Sequence, residues 1–272
     1  MTSTPQRFTG KVALVTGGAS GIGLEITRSV VREGGRVVCG DINDAALADV
    51  QREFGGQVLA ARTDVTSESD MEGLVAKTVA EFGSLDCAFN VAGALKPAYI
   101  VDMTAEEWDY TVDLCLRGVF FSLKHEARQM LQNGGGSIVN IASLNSYIPM
   151  HGGAAYSAAK AGVEMLTRNG ALELTEYGIR VNAVLPGLVQ TPLTRRHFEN
   201  PDAVATFLAR IPMGRAAQPS EIASPALFLA SGDASYISGA ALLVDGAWSV
   251  TGYPDVRALR APSAWLPRPS GA

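Results

Sequence analysis

Three side chains in residues 143–160 have the types and the spacing for proton transfer. Tyr156 and Lys160 are four residues apart in an Ala-rich segment, residues 154–174, that predicts a helix, so they share one face. An ammonium beside a phenol lowers its pKa from about 10, so the tyrosine becomes usable as an acid or base near neutral pH. Taken alone, the pair is a weak indication, and an exposed helix carrying it by chance is the plainer interpretation.

Ser143 stands at a position where a hydroxyl can meet a substrate. It follows residues 137–142, an apolar run typical of a buried parallel strand. Open α/β sheets bind ligands at the carboxyl ends of their strands. We therefore expect the Ser143 hydroxyl to hydrogen-bond a substrate oxygen, with Tyr156 and Lys160 completing the catalytic group.

A glycine-rich turn near the start of the chain predicts a dinucleotide site. An apolar run at 11–16 indicates a buried strand, and 24–32 has the pattern of a helix. The turn between them contains Gly17, Ser20, Gly21, Ile22 and Gly23. Glycines let the backbone approach a pyrophosphate, and the helix N-terminus supplies N–H donors and the positive end of its dipole.

Asp41 favours NAD over NADP as the cofactor. It ends a predicted strand, residues 36–40, and lies 18 residues after Gly23, near the spacing of about 20 expected for the carboxylate that binds the adenosine ribose. A carboxylate there accepts hydrogen bonds from both ribose hydroxyls and repels a 2′-phosphate. The next residue is Ile42, and no Arg or Lys stands beside the pair. A helix N-terminal role for Asp41, beside Asn43, is compatible with this interpretation.

Composition narrows the class of protein. The chain has 272 residues, 47% of them apolar, which suits one large α/β domain. A net charge of −5 without a Lys/Arg cluster argues against nucleic acid as a partner. No apolar run reaches the ~18 residues of a membrane span, and the N-terminus lacks the apolar core of a signal peptide.

The metal-ligating residue types are too scattered to form a site. The histidines are His125, His151 and His197, and the cysteines are Cys39, Cys87 and Cys115. Neither set has ligand spacing, so we expect no metal and no disulfide. We interpret the cysteines as reduced thiols of a cytoplasmic protein. His125 lies in a predicted amphipathic helix, where we expect it on the surface or at an interface.

Strand-like and helical patterns alternate along the chain, which predicts a parallel sheet with helical crossovers. Within this order the chain resembles the short-chain dehydrogenase/reductase family, in its short single-domain branch, from residue 11 to about 248. The matching motifs are 16–23, Asp64-Val65, 90–93, Ser143, Tyr156 with Lys160, 180–187 with Thr191, and 244–246. Their joint order and spacing are specific and strengthen the catalytic interpretation of Tyr156.

The resemblance implies a fold and a set of cofactor contacts. The fold is a single Rossmann-like, doubly wound α/β domain (residues 1–248), with a seven-stranded parallel sheet and helices on both faces. Asp64 would meet the adenine amino group, with Val65 beside the ring. The cofactor ribose and nicotinamide would be held by Asn90, Ala92, Gly93, Lys160, Pro186, Gly187, Val189 and Thr191.

Cys115 departs from the family pattern. It stands where the family usually carries an asparagine, which completes a tetrad with Ser, Tyr and Lys and helps to hold a water of the proton relay. A thiol is only a weak hydrogen-bond donor and acceptor. Either backbone carbonyls at a local bend of the helix hold that water, or the relay is impaired. The intact Ser143, Tyr156 and Lys160 favour the first account.

A long insertion over residues 188–215 is predicted to form a helical lid over the site. Its apolar residues either line the substrate pocket or pack internally, and they are Leu193, Phe198, Phe207 and Met213. Asn145, Tyr147 and His151 lie between Ser143 and Tyr156 and are further substrate candidates. An ordinary loop histidine is the plainer interpretation of His151.

Residues 249–272 form a Pro-rich extension beyond the usual end of the family, and its prolines exclude a long helix. This segment is either disordered or packed across a neighbouring subunit, where Trp265 and Leu266 would be buried.

The predicted function is NAD(H)-dependent interconversion of a secondary alcohol and a ketone, with a small-molecule substrate. The resemblance also implies a homotetramer that associates through helices over 117–131 and 161–177. A 3-oxoacyl-carrier-protein reductase is the rival enzyme. Two residues argue against this reductase. Asp41 favours NADH, whereas such reductases usually use NADPH, and Tyr177 stands where they often carry a basic residue. A non-catalytic NAD sensor or scaffold is the rival from another class, supported by Cys115.

Overall fold

A computed structural model describes residues 6–252 of the protein. Seven strands form one sheet, and every pairing between neighbours is parallel. The strands are β1 (Val12–Thr16), β2 (Arg36–Asp41), β3 (Val58–Arg62), β4 (Cys87–Asn90), β5 (Gly136–Ile141), β6 (Ile179–Pro186) and β7 (Ala241–Val244). Their order in the sheet is β3-β2-β1-β4-β5-β6-β7.

Helices connect the strands, as the alternating pattern predicts. They are α1 (Gly21–Arg32), α2 (Asp44–Phe54), α3 (Glu68–Phe82), α4 (Ala105–Val112), α5 (Gly118–Gln132), α6 (Ala154–Leu174), α7 (Arg195–Phe198), α8 (Pro201–Leu208) and α9 (Pro219–Ala230). A π-turn, Asp113–Arg117, joins α4 to α5. None of the described helices is long and apolar enough to cross a membrane.

Successive side chains of a strand point to opposite faces, so each buried strand contributes to two cores. In β1, Ala13 and Val15 pack in the core that contains residues of α1, α2 and α9. Leu14 packs on the other face, with residues of α3, α5 and α6. The doubly wound, seven-stranded parallel sheet predicted from the sequence is confirmed.

The sheet order also locates the site. The chain runs outward from β1 through β2 to β3, and then returns to place β4 on the other side of β1. The crossovers on either side of β1 diverge at this switch point, which leaves a crevice at the carboxyl ends of β1 and β4. The glycine-rich turn follows β1 at this crevice.

Local patterns predicted several elements closely. The helix expected over 154–174 is α6, and Ser67 caps α3 by accepting a hydrogen bond from the Asp70 amide at 3.3 Å. His125, predicted on the surface or at an interface, is instead buried within the chain on α5, with Nε2 3.2 Å from Glu68 Oε1 of α3.

Candidate active site

An open cleft of about 560 Å³ lies at the carboxyl ends of the central strands. Its volume is in the range of small-molecule and cofactor sites. Eleven of the predicted cofactor residues line it: Gly17, Ser20, Gly21, Ile22, Asp41, Ile42, Asp64, Val65, Ala92, Gly93 and Thr191. Residues more than 170 positions apart in sequence thus meet in one cleft.

The turn after β1 adopts a backbone that only glycine accepts readily. Gly17 and Gly21 have φ of +63° and +49°, in the left-handed region. A Cβ on Gly23 would lie 2.0 Å from the carbonyl oxygen of Gly17. This close approach folds the turn onto the first residues of α1, so that the helix N-terminus is at the cleft.

Asp41 is held in place at the edge of the cleft. Its Oδ2 accepts a hydrogen bond from the Ala19 amide at 3.2 Å, and its Oδ1 accepts one from the Asn43 amide at 3.1 Å. Two backbone donors therefore fix the carboxylate beside the glycine-rich turn. Ile42, 61% exposed, adds an apolar surface next to it.

Asp64 and Val65 form the next part of the wall. Asp64 Oδ1 accepts hydrogen bonds from the amide and the hydroxyl of Thr66, at 2.9 and 2.7 Å. Val65 is buried against Gly118, where an added Cβ would approach its Cγ2 to 2.8 Å. The start of α5 therefore packs directly on this wall of the cleft.

Lys160 and Tyr156 lie together beside the cleft. Lys160 is 3% exposed, its Nζ donates to the carbonyl of Ile141 at 2.7 Å, and Nζ is 5.7 Å from the Tyr156 ring centroid. Ser143, two residues beyond Ile141, is buried at the end of the same strand. Its Oγ accepts from the Asn145 amide at 3.0 Å. The three catalytic candidates thus converge at the carboxyl end of β5.

Cys115 lies inside the π-turn, and its Sγ donates to the carbonyl of Ala94 at 3.0 Å. A Cβ on Gly93 would lie 3.5 Å from this sulfur and 3.6 Å from Lys160 Nζ. The thiol and the ammonium therefore face the same glycine. A π-turn shifts the helical hydrogen-bond ladder and is frequent at functional sites. The helix is therefore irregular at Cys115, as the account with backbone carbonyls requires, and the choice between the two accounts stays a prediction.

Several predicted cofactor residues lie outside the cleft lining. The side chain of Asn90 is buried and directed to Glu126 and Asn140. Pro186 ends β6, and Val189 packs in the core of the α1 face. Gly187 lies against Asp245, since an added Cβ would meet its Cα at 2.9 Å.

The substrate candidates divide into two groups. Leu193 lines the cleft, and His151 is exposed on the turn before α6. Phe198 and Phe207 pack instead on Leu188, Ile211 and Ala216, which are buried. The side chain of Asn145 donates to Ile148 O at 2.8 Å, and the Tyr147 hydroxyl donates to Glu164. Internal packing is thus the structural role of the two phenylalanines.

The sequence interpretation missed one wall of the cleft. Tyr110, Asp113 and Leu114, from α4 and the π-turn, line it. The ammonium of Lys96 lies 4.5 Å from the centroid of the Tyr110 ring. Asp113 and Leu114 follow Tyr110 by three and four residues, a spacing that places the three side chains on one helical face. That spacing is the signal that would have found them.

Known proteins are similar to this protein over nearly its whole length. The family model described as enoyl-(acyl carrier protein) reductase matches residues 17–249. A 2,5-dichloro-2,5-cyclohexadiene-1,4-diol dehydrogenase of Sphingobium indicum is 39% identical over 247 residues, which covers 90% of this chain and 98% of the relative. A 3-oxoacyl-[acyl-carrier-protein] reductase of Thermotoga maritima is 39% identical over 243 residues, covering 88% and 98%.

The solved structure of a levodione reductase superimposes with a TM-score of 0.86 and 35% sequence identity, over 91% of this chain and 100% of that one. The fold, the site motifs and the relatives all indicate one family. The chain belongs to the short-chain dehydrogenase/reductase family and is an oxidoreductase.

Proposed function

We propose that the protein is an NAD(H)-dependent dehydrogenase that interconverts a secondary alcohol and a ketone. The observation that carries the proposal is Lys160, buried beside Tyr156 at the edge of a cleft built on a glycine-rich turn. A buried ammonium with one carbonyl partner, Ile141 O, retains hydrogen-bond donors for further oxygens. Such a group stabilises a neighbouring phenolate.

The residues divide the chemistry among them. The Ser143 hydroxyl hydrogen-bonds the substrate oxygen, and Tyr156 takes the proton from the alcohol in oxidation. Lys160 stabilises the phenolate form of Tyr156 that accepts this proton, and Lys160 would also hold the nicotinamide ribose. NAD, when bound, supplies the hydride acceptor. Ketone reduction uses the same groups in reverse order.

The residues present fit a dinucleotide. The glycines of the turn, Gly17, Gly21 and Gly23, pack closely on neighbouring atoms, and α1 begins at this turn, so its N-terminus can receive a pyrophosphate. Asp64 and Val65 would receive the adenine, and Thr191 the nicotinamide end. Thr191 already contacts the turn, since a Cβ on Gly21 would lie 3.3 Å from Thr191 Cβ. The start of the lid therefore packs over the glycine-rich turn.

Asp41→Asn tests the cofactor preference. The amide keeps the size of the side chain but removes the negative charge. That charge repels a 2′-phosphate and strengthens the hydrogen bonds that the carboxylate accepts from the two ribose hydroxyls. We expect the ratio of kcat/KM for NAD to that for NADP to fall by about 100-fold, since hydrogen bonds to a charged group contribute roughly 1.5–3 kcal/mol each. Initial rates with both cofactors measure this ratio. An unchanged ratio would remove Asp41 from the specificity argument.

Cys115→Asn tests the account of the π-turn. If backbone carbonyls of the turn hold the relay water, the asparagine restores the family's usual side chain and turnover stays equal or rises. The measurement is kcat at saturating cofactor, with cofactor affinity determined separately. A collapse of kcat with cofactor binding intact would show that the thiol has a role of its own.

The proposed function as a whole is tested by reduction of NAD⁺ and NADP⁺ against a panel of secondary alcohols, including cyclohexanols, cyclohexanediols and 3-hydroxyacyl thioesters. Ring alcohols are assayed first because one relative is a 2,5-dichloro-2,5-cyclohexadiene-1,4-diol dehydrogenase. NAD-linked turnover of a ring alcohol supports the proposal. Binding of NADH without turnover of any member would favour the sensor or scaffold.

The carrier-protein reductase is the second candidate because the Thermotoga maritima relative carries that name. Asp41, held at the cleft by Ala19 and Asn43, argues for NAD and against this reductase. NADPH-dependent reduction of a 3-oxoacyl thioester, faster than any alcohol oxidation, would establish it.

We propose a homotetramer and a cytoplasmic location. Exposed apolar side chains on α5 and α6, including Phe120, Met165 and Leu172, supply surface for association. All three cysteines are buried free thiols, which suits a reducing compartment.

The proposed homotetramer is tested by sedimentation equilibrium, which would give the mass of the assembly. The proposed packing of 249–272 on a neighbouring subunit falls mainly on residues 253–272, outside those described.

A further inference from the structure

A buried polar cluster lies beneath the cofactor cleft, and the proposed chemistry does not use it. Asn90 ends β4, Glu126 is on α5, Asn140 is in β5 and Thr167 is on α6. None of the four is more than 1% exposed. An isolated carboxylate in such a place is costly, because burial removes its hydration. The hydrogen bonds of the cluster indicate how Glu126 avoids that cost.

The amide orientations follow from one hydroxyl. Thr167 Oγ1 donates to the carbonyl of Val163 at 2.8 Å, so its oxygen accepts from Asn140 Nδ2 at 2.9 Å. The Asn140 amide oxygen must then face Asn90. Asn90 Nδ2 donates to that oxygen and to Glu126 Oε2, both at 3.0 Å. Both amide hydrogens of Asn90 are therefore used.

Two oxygens of the cluster have no partner among the described residues: Asn90 Oδ1 and Glu126 Oε1. They belong to the two side chains that the N–H···O bond already joins. A proton on Glu126 Oε1 would donate to Asn90 Oδ1, and the acid and the amide would then share two hydrogen bonds in a ring. One proton thus satisfies every polar atom of the pair.

We propose that Glu126 is a neutral carboxylic acid at physiological pH, paired with Asn90 through two hydrogen bonds, and that this pair positions the segment lining the cofactor cleft. Burial raises the pKa of Glu126 to about 8, against a smaller opposing effect of the Asn90 hydrogen bond. Glu126 forms no ion pair within residues 6–252.

Within residues 6–252, no charged group on the surrounding elements pairs with Glu126, and several are engaged elsewhere. Lys124 and His125 of α5 contact Glu68 of α3, and Arg117 pairs with Asp113 in the π-turn. On α6, Lys160 donates to Ile141 O and Glu164 pairs with Arg168. Arg180 of β6 donates to carbonyls at the end of α9, and burial raises the pKa of the Cys87 thiol in β4.

The pair has a direct connection to the cleft. Asn90 is followed by Val91, whose amide donates to Thr16 Oγ1 at 3.2 Å, and then by Ala92 and Gly93 of the lining. Fixing the Asn90 side chain to α5 therefore fixes the backbone on which the cofactor would rest. Glu126 is a positioning residue, since it acts through Asn90.

Glu126→Gln separates the proton from the hydrogen bonds. The glutamine oxygen accepts from Asn90 Nδ2 and its amide donates to Asn90 Oδ1, so both bonds remain but nothing titrates. In the wild type, a folded pKa of about 8 lies above the unfolded value of about 4.3. Between these values the folded state holds a proton that the unfolded chain has released, so stability falls as pH rises.

Urea unfolding of both proteins from pH 5 to 9.5 makes this measurable. The unfolding constant of the wild type, relative to E126Q, should increase by about tenfold per pH unit up to about pH 8 and then stay constant. An ionised Glu126 would instead give a constant ratio above about pH 5.5, which would overturn the proposal. Infrared spectra add a direct signature: a protonated-carboxyl C=O band at pH 6.5, absent in E126Q. If the wild type also lacked this band, the proposal would be overturned.

The positioning role is tested with Glu126→Leu, which removes the partner of the Asn90 amide on α5 and leaves only its hydrogen bond to Asn140. We expect KM for NAD to rise at least tenfold with a smaller change in kcat, and E126Q to restore KM. Equal KM values in wild type and E126L would refute positioning. Only the positioning experiment, which measures KM, rests on the proposed function. The unfolding and infrared experiments need no turnover, so a failure of the Glu126 proposal can be distinguished from a failure of the proposed function.

Discussion

Tyr156→Phe should lower kcat by about 1,000-fold or more while leaving cofactor affinity nearly unchanged. The substitution removes one oxygen, which is the proposed proton acceptor, and general acid–base groups typically contribute 10²–10⁴-fold. The ring remains, so packing beside Lys160 is preserved. Steady-state kcat and an NADH titration followed by fluorescence give the two quantities separately.

Tyr236→Phe is the matched control, because it makes the same chemical change on a fully exposed side chain. It should leave kcat within about twofold, as surface substitutions usually do. If Tyr156→Phe retained more than a tenth of wild-type kcat, Tyr156 would be excluded as the acid–base group. Proton transfer would then have to pass through another residue, or the protein would not act through this site.

Gly23→Ala should weaken cofactor binding at least 100-fold. The added Cβ would lie 2.0 Å from the carbonyl oxygen of Gly17 and 3.0 Å from Gly18 Cα. Both contacts are with backbone, so no side-chain rotation relieves them, and the turn must move away from α1. Because the same turn forms the proposed cofactor site, we expect the Kd for NADH to rise at least 100-fold, equivalent to about 2.7 kcal/mol. Isothermal titration calorimetry measures it.

Gly73→Ala provides the control within the same chain. Gly73 lies inside α3, and a Cβ there meets nothing within 4 Å. Alanine in an open helical position should stabilise the fold by about 0.5–1 kcal/mol and leave NADH affinity unchanged. If Gly23→Ala bound NADH as tightly as Gly73→Ala does, the close packing of the turn would not matter for the cofactor.

The sequence alone predicted the features that depend on local spacing. The helix over 154–174, the Tyr156–Lys160 pair on one face and the strand–turn–helix around Gly17 each lie within a short stretch of chain. Hydrophobic periodicity and glycine chemistry act over such distances. Alternation of these elements then gave the parallel sheet, because parallel neighbours need crossovers and short helices supply them.

Only the tertiary structure decided which distant groups meet. Cys115 donates to Ala94, 21 residues away, and Phe198 packs on Leu188, Ile211 and Ala216 and is not among the residues that line the cleft. Asn90, predicted to meet the cofactor, directs its side chain to Glu126, 36 residues further on. The contact between Asn90 and Glu126 depends on the packing of α5 against β4, and the other two depend on which face of each segment becomes buried. Sequence spacing does not encode that choice, since burial and hydrogen bonding are settled when the elements pack together.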